Sequence, residues 1–558
     1  MRALGVPSAK RWATLSDSVA QPLWAGILAA VIAWGLYVLG PPGGDAATHL
    51  YQSQLVSQHG FQLWDNLWYS GRYSLVNYTL IYYPLALVVG PAIVIASSVG
   101  VAAAAFARLA RTQWPTLARA PAIAAALMLP LEVIAGVYPF LLGLALGLVT
   151  LVLLQARRPW LASGAALLTI AAHGLAFGFI AMIIVAWALA DHAWVRERGA
   201  RGFATALVVI GIMQLLLLRA FSLPGGRYIF DPKDFAAIVA FCLAGAALTY
   251  RQPTQRPMWI FFWVYGVIGT LDFLIPNPIG GNAVRLLVVM GLPILLIPLA
   301  ARDFHPRWMI AVCVLALIIW QGISPVTEWQ ASSSSRGAQA SFWQPALAFL
   351  RAHDAPAYRV EVVQSKRYWE AYYIAGHGFA MARGWYRQDD FPTNAVLYGD
   401  LTPQNYQAWL RAIGVHYVLL SNDELDFTSR QEAALLRGGR SGLQTVAHTG
   451  AWTIYALPNP TPIITPAASA KITRMTPTSI TIHVASPGPL TVRVRDNPYW
   501  SALESGGGRV CVALGTGQTT LLNVSHPGTV LLQFHVGFVQ IAHALIGQYA
   551  SCGSSATP

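Results

Sequence analysis

QPLWAGILAAVIAWGLYVLGPPGGDAATHLYQSQ, residues 21–54, is the stretch that decides the fold. Residues 21–40 carry no charge, and residues 40–54 then introduce Asp45 and His49 one helical turn apart. About 20 apolar residues at helical rise cross a hydrocarbon core of about 30 Å, and a helix bonds every backbone amide within the segment. Residues 21–40 therefore predict a membrane helix, with the Asp and the His where it leaves the lipid. No small-residue cleavage pattern follows the run, so it is expected to stay on the chain. A carboxylate at that border is costly unless it pairs or works. Arg72 and Arg285 are its candidate partners; without them Asp45 has a chemical task.

The remaining chain extends the pattern. Of 558 residues, 55% are hydrophobic and 11% charged, with a mean hydropathy of +0.50, where a soluble domain carries about 25% charged residues. The deficit is confined to residues 20–323, while residues 324–558 have the composition of a water-exposed protein. The hydrophobic runs predict about eleven helices, near 21–40, 84–107, 120–136, 138–156, 160–172, 174–190, 203–221, 235–250, 257–275, 284–300 and 307–323. The run 161–189 reads either as one helix or as two meeting at His173 and Gly174.

Alternate joints concentrate the basic residues: Arg2, Lys10 and Arg11; Arg108 and Arg111; Arg157 and Arg158; Arg196, Arg198 and Arg201; Arg251 and Arg256; Arg302 and Arg307. The intervening joints hold chiefly Arg72, Arg227, Lys233 and Arg285. Basic joints stay in the cytoplasm, so a multi-pass plasma-membrane protein is expected, with a cytoplasmic N-terminus and an extracytoplasmic C-terminal half. The formal charge of +13 is thereby a topology signal, and no nucleic acid partner is expected. Cys511 and Cys552 both fall in the C-terminal half and could form a disulfide in an oxidising compartment.

The loop after the first helix is rich in polar and aromatic groups, among them Asp65, Tyr69, Arg72 and Tyr73. Asp45, His49 and Gln52 share one face of a short interfacial helix, with Leu50, Leu55 and Val56 left for lipid or core. Trp64, Trp68, Tyr69 and Tyr73 suit an aromatic belt at the membrane surface.

A Gly-Asp with a following His after the first transmembrane helix, in a long loop with an interfacial helix, resembles the GT-C class of integral-membrane glycosyltransferases. The plan of ten or more helices followed by an extracytoplasmic domain is similar too, and closest in general look to actinobacterial cell-wall transferases. The resemblance implies transfer of a sugar from a polyprenyl-phosphate carrier to a cell-envelope glycan or glycolipid acceptor, at the outer face of the lipid bilayer. It makes Asp45, with His49 beside it, the catalytic candidate, since a carboxylate can take the acceptor hydroxyl proton. Arg285, at the outer start of a helix, and Arg72 are the candidates for the leaving phosphate; a snorkelling arginine is the plainer reading of Arg285. Asp65, Tyr69 and Tyr73 in the loop, and Glu132, His173 and Asp272 in or beside helices, are the further substrate-binding candidates. Asp45, His49 and Asp65 could hold a divalent cation, but three such residues in one loop fall short of a ligand set, and no metal is expected.

The C-terminal half begins with a polar, Ser-rich linker at 324–340. Strand-like runs alternating with helical stretches predict a small α/β domain over 341–457. Its segment 365–390 mixes aromatics with charges, and Trp385 and Arg387 are candidates for stacking and hydrogen bonding to a sugar. Short alternating runs over 465–558 predict a β-sandwich or jelly-roll module. No nucleotide-phosphate loop, paired-cysteine metal signature or nucleophile elbow occurs, which disfavours a soluble nucleotide-sugar enzyme. A non-catalytic polysaccharide-binding scaffold is the alternative. A transporter is disfavoured, because the chain shows no pair of similar halves.

Overall fold

A computed structural model describes residues 9–301, 308–353, 356–506 and 508–547. The chain forms two compact units, each assembled from separate stretches of sequence. The first comprises residues 1–44, 78–214 and 227–333; the second comprises 45–77, 215–226 and 334–558.

The first unit is helical. Among the described residues, eight helices are long and apolar enough to cross a membrane: Ala20–Leu39, Pro91–Gln113, Tyr138–Gln155, Arg198–Phe221, Pro232–Thr249, Pro253–Leu274, Gly280–Ala301 and Ala311–Ser334. Two shorter apolar helices, Pro159–Ala172 and Gly174–Ala190, join them. Small residues set the closest packing. Ala25, Ala29 and Ala33, one turn apart and fully buried, form the stripe by which the first span meets the second. A Cβ on Gly26 would lie 2.9 Å from the Gly100 carbonyl oxygen.

Two expectations, at 120–136 and at 324–340, differ from what forms, and the open reading of 161–189 is decided. The span expected at 120–136 is broken into Arg119–Met128, a 3-10 turn at Leu129–Leu131 and one helical turn at Glu132–Ala135. Pro130 supplies no amide to continue the ladder, and Gly136, at φ +83°, ends the last turn in the left-handed region. The run 161–189 is two helices, because His173 is extended at φ −166°, ψ 118°. The final span continues as helix Trp308–Ser334 into the stretch expected to be a linker at 324–340. Helix Ala340–His353 then starts after one short 3-10 turn, Arg336–Ala338.

The second unit gathers the loop after the first span around two sheets. Residues 45–77 give helix Ala46–His59 and a two-residue ladder of β1 (Trp64–Asp65) with β2 (Arg72–Tyr73). The α/β part holds β3 (Arg359–Val362), β4 (Val415–Ser421), β5 (Gln444–Thr449) and β6 (Trp452–Ala456), in the order β3-β4-β6-β5. β3 and β4 are parallel and the other pairs antiparallel. Helix Pro403–Ile413 packs Tyr406, Trp409 and Leu410 onto the sheet, and its start is fixed by a Thr402–Asn405 capping box.

Eight further strands follow: β7 (Ile464–Thr465), β8 (Ala470–Met475), β9 (Ser479–Val484), β10 (Gly488–Arg495), β11 (Trp500–Glu504), β12 (Arg509–Leu514), β13 (Thr519–Val524) and β14 (Gly528–Phe534). They form one antiparallel sheet in the order β7-β10-β13-β12-β11-β14-β9-β8. Laid flat, its end strands would stand about 33 Å apart. The chain from Thr465 to Ala470 spans at most about 17 Å, so the sheet must curl until its two edges approach. A helix, Phe538–Ile546, follows the last strand, where the sequence suggested strands alone.

Cys511 is disulfide-bonded, and Cys552 lies outside the described residues. Cys242 and Cys313 are free.

Burial corrects the reading of residues 45–77 as a membrane-surface element. Trp64, Trp68, Tyr69 and Tyr73 are all buried in the second unit. Trp64 stacks on Phe534 of β14 with centroids 5.5 Å apart, and Trp68 meets Tyr386 at 6.1 Å. Helix Ala46–His59 buries Thr48, His49 and Gln52 along with Leu55 and Val56, while Leu50 points outward. An amphipathic surface helix does the reverse with its polar residues. These side chains serve as the core of a domain built mostly from sequence 300 residues away.

Candidate functional site

Two groups of sequence-predicted residues converge, one in each unit. In the second unit the centre is Arg72 on β2. Its Nε donates to Asp389 Oδ2 at 2.6 Å, and its guanidinium lies 3.7 Å from the centroid of the Tyr386 ring. Burial works against the charge on Arg72, and Asp389, Tyr386 and Asp65 together outweigh it, so the group stays a cation. Asp45 begins helix Ala46–His59, which its side chain does not cap, and it lies within electrostatic reach of Tyr386. Trp385 sets its ring edge-on to Tyr386 at 4.7 Å. Asp65 is fully buried, accepts from Tyr51 Oη at 2.9 Å and from the Leu67 amide at 2.9 Å, and interacts with Arg72. Burial pushes its carboxyl up to about 6, against those hydrogen bonds and the Arg72 charge.

The backbone makes this arrangement possible through a tight reversal between β1 and β2. Tyr69, Ser70 and Gly71 all have positive φ, at +56°, +61° and +104°. A Cβ on Gly71 would come 2.5 Å from the Trp64 ring, so that position admits only glycine. The turn aims the buried Tyr69 toward Asp389, Asp390 and Arg383, and its hydroxyl has no hydrogen-bond partner among the described residues. Tyr73 leaves the turn into an aromatic core, 5.0 Å from Trp64 and 6.2 Å from Tyr499. His49 is buried one turn along the helix from Asp45. Arg387 stands in an ion pair with Asp426 at 2.7 Å and bonds to Tyr368. The Arg387 ion pair holds Asp426 below the usual carboxylate range against burial.

In the first unit, Arg285 opens helix Arg285–Ala301 within electrostatic reach of both Glu132 and His173, which are buried. The guanidinium lies 5.8 Å from the Phe140 centroid, and Phe140 meets the His173 ring at 5.5 Å. Neither nitrogen of His173 has a hydrogen-bond partner among the described residues. Asp272 stands apart from this group, bonded to Asn277 at 2.6 Å. An apolar cavity runs along the same helix, lined by Leu286, Met290, Ile294 and Ile297 and, from neighbouring helices, by Leu144 and Phe179. Leu286 to Ile297 spans about 16 Å at helical rise, about one leaflet of hydrocarbon.

Sequence reasoning placed Arg72 and Arg285 in one list of phosphate candidates; they belong to different units and have different neighbours. Tyr386, whose ring Arg72 covers, is the member of this cluster that it did not name. The only signal for it was membership of the aromatic run beside Asp389 and Asp390. Among the described residues, no group of three or more His, Cys, Asp or Glu side chains is placed to hold a metal ion.

Among solved structures, the chain is similar to membrane glycosyltransferases of the GT-C class. One is the arabinofuranosyltransferase AftD from Mycobacteria, at 12% identity and a TM-score of 0.42, over 95% of this chain and 57% of that one. Another is the Archaeoglobus fulgidus oligosaccharyltransferase in its apo form, at 10% identity and 0.46, over 92% and 94%. A third is AglB of the same organism in complex with an inhibitory peptide and a dolichol-phosphate, at 13% and 0.37, over 72% and 69%. The chain thus spans little more than half the length of the arabinofuranosyltransferase. No family model matches the chain, and no curated protein does. Likenesses of this size assign no role to any residue, and the functional reading rests on the chain's own geometry.

Proposed function

We propose that the protein is a membrane glycosyltransferase that takes a sugar from a polyprenyl-phosphate carrier at the outer membrane face and passes it to a hydroxyl of a cell-envelope glycan or glycolipid. The observation that carries this reading is a cation at the head of an apolar cavity. Arg285 opens the helix whose residues Leu286 to Ile297 line the cavity, and it rests over Phe140, one turn from Leu144 in the same lining. A lipid phosphate has that composition: a hydrocarbon tail needing an apolar groove and an anionic head, which gains charge as the sugar leaves it, needing a fixed cation.

In the proposed reaction the acceptor hydroxyl gives its proton to the Asp45 carboxylate as its oxygen bonds to the anomeric carbon. The bond from that carbon to the phosphate oxygen breaks, and the lipid phosphate leaves with the electron pair. Arg285 stabilises the charge that develops there. Arg72, neutralised by Asp389 and stacked on Tyr386, positions the strand turn around the base, so it is a positioning residue in this scheme. Trp385 supplies a neighbouring stacking face for a sugar, and Asp65, fully buried, holds Tyr51 and the Leu67 amide behind it. Orientation with the second unit outside the cell follows from the basic joints of the helical half.

The test is transfer of labelled sugar from a panel of polyprenyl-phosphate donors to short envelope glycans, by purified protein beside Asp45→Asn. Transfer by the parent and its near-complete loss in a variant of equal melting temperature is the expected result. Transfer by neither, across a broad panel with intact protein, overturns the enzymatic reading in favour of a polysaccharide-binding scaffold.

A further inference from the structure

Helix Phe538–Ile546, FVQIAHALI, carries a single ionisable side chain, His543. A helix on the surface of a water-exposed domain turns an apolar stripe inward and a polar face outward. This one is apolar on both sides. Ala544 is buried against the module, with Ile541 and Leu545 half-buried, while Phe538 is 93% exposed, Val539 64% and Ile546 65%. Phe538, Ala542 and Ile546 recur at intervals of four, which puts them on one face, with Val539 beside them. That is an exposed apolar patch, bordered on one side by the exposed His543, one turn from Val539.

The same unit contains a fixed reference to the bilayer. Helix Arg198–Phe221 is long and apolar enough to cross a membrane, and its last residues, from Leu215, belong to the second unit. They are bound to the β-module directly. Tyr499 Oη donates to the Ala220 carbonyl at 3.1 Å, and Phe221 stacks on Tyr499 with centroids 4.9 Å apart. Gly547, the residue that ends helix Phe538–Ile546, sits so near that a Cβ there would lie 3.0 Å from the Arg219 guanidinium. On the membrane helix itself Leu215 is 68% exposed and Leu216 48%. The apolar helix of the module therefore stands at the level where a membrane span ends.

We propose that helix Phe538–Ile546 lies in the membrane interface, with Phe538, Val539 and Ile546 among the upper acyl chains, and so docks the β-module on the lipid surface. Its chemistry is hydrophobic. With no Lys or Arg on the helix and Arg219 of the membrane span alone beside its end, insertion is driven by the apolar side chains and depends little on anionic lipid, unlike that of a basic amphipathic anchor.

The experiment uses the full chain in lipid nanodiscs, with Cys242→Ala and Cys313→Ala leaving the Cys511 disulfide untouched. Phe538→Cys carries a bimane probe, and Ser486→Cys is the control. Ser486 is exposed in the turn between β9 and β10, at the end of the sheet remote from Phe534, since β9 and β14 pair Val484 with Gly528 and Ser479 with Gln533. Lipids bear a nitroxide at the headgroup, high on the acyl chain, or deep on it. At position 538 the expected result is at least twofold stronger quenching by the high acyl nitroxide than by the deep one, and no quenching at 486 by any of them. The values should be closely similar in zwitterionic discs and in discs with anionic lipid. Quenching at 538 no stronger than at 486 overturns the proposal. A blue-shifted probe at 538 without nitroxide quenching, as burial against a second copy of this chain would give, also overturns it. A second probe at Ile546→Cys repeats the measurement if the first labelled variant melts early.

Discussion

Removing the charge of Arg72 offers the most direct test of the second unit. Arg72 is almost fully buried, its Nε lies 2.6 Å from Asp389 Oδ2, and its guanidinium covers Tyr386 at 3.7 Å. Two unit charges about 4 Å apart attract by about 4 kcal/mol at an effective dielectric near 20, and a desolvated cation over an aromatic face adds about 2 kcal/mol. Burial of both charges offsets most of this, so the intact pair contributes little net stability. Breaking it differs: Arg72→Met keeps the side-chain volume yet strands Asp389, at a cost of about 3–5 kcal/mol. For a unit of this size each kcal/mol moves the melting temperature by about 2–4 °C, so the expected drop is roughly 6–20 °C. Asp389→Asn should cost at least as much, because it strands Arg72, whose side chain keeps 2% of its exposure against 12% for Asp389. The double variant should fall short of the summed single effects by roughly 2–4 kcal/mol, the coupling of the pair. The assay is intrinsic fluorescence melting of the full chain in nanodiscs, where the buried tryptophans report the unit. Shifts under 1 °C, or single effects that add within about 0.5 kcal/mol, would refute the argument that this pair anchors residues 45–77.

Gly71→Ala should destabilise the same unit by several kcal/mol, since φ +104° and the Trp64 ring 2.5 Å from the new Cβ leave no relaxed alternative; the same melting experiment measures it. Arg285→Met should cut sugar transfer by about 10²–10³-fold, the usual cost of one removed charge-stabilising group, while Arg285→Lys should retain part of the activity; equal rates in all three would remove Arg285 from the reaction. Burial pushes Glu370 up to about 8 and Glu432 up to about 7. The folded unit thus keeps protons that the unfolded chain releases near 4.5. The stability they contribute is complete below pH 4.5 and is lost as pH rises through about 7 to 8. Melting temperature should accordingly decline from pH 5.5 to 8.5, and Glu370→Gln should flatten the upper part of that decline; a rise over the interval would contradict the burial of these carboxyls.

The helical half was legible because length and apolarity alone decide a membrane span. Where it was misread, a single backbone feature was responsible, such as Pro130 and the left-handed Gly136 within 120–136. Residues 45–77 illustrate a different limit. Trp64, Trp68, Tyr69 and Tyr73 fit an interfacial belt as well as a core, and periodicity cannot distinguish the two. What decides is the presence of Phe534, Tyr386 and Asp389, which lie hundreds of residues away. Asp45 and Arg285 could be singled out as costly charges beside lipid, whereas Tyr386 could not, since an aromatic acquires meaning only from the cation on its face. Helix Phe538–Ile546 was hidden for a related reason: a nine-residue, mostly apolar run fits a strand and a buried helix equally well.

The discontinuous make-up of the second unit also sets a timetable. Arg72 and Asp389 are separated by 317 residues, which a ribosome adds in about 15–60 s at 5–20 residues per second. During that interval helix Ala46–His59 and the Trp64–Tyr73 turn exist without the sheets that will enclose them, and most of the membrane helices are inserted while they wait. A bilayer surface accepts tryptophan and tyrosine readily, so the aromatic residues that end in a protein core have a resting place available during synthesis. Biogenesis of this chain is thus a deferred assembly, in which an early segment is stored until the late domain arrives to collect it.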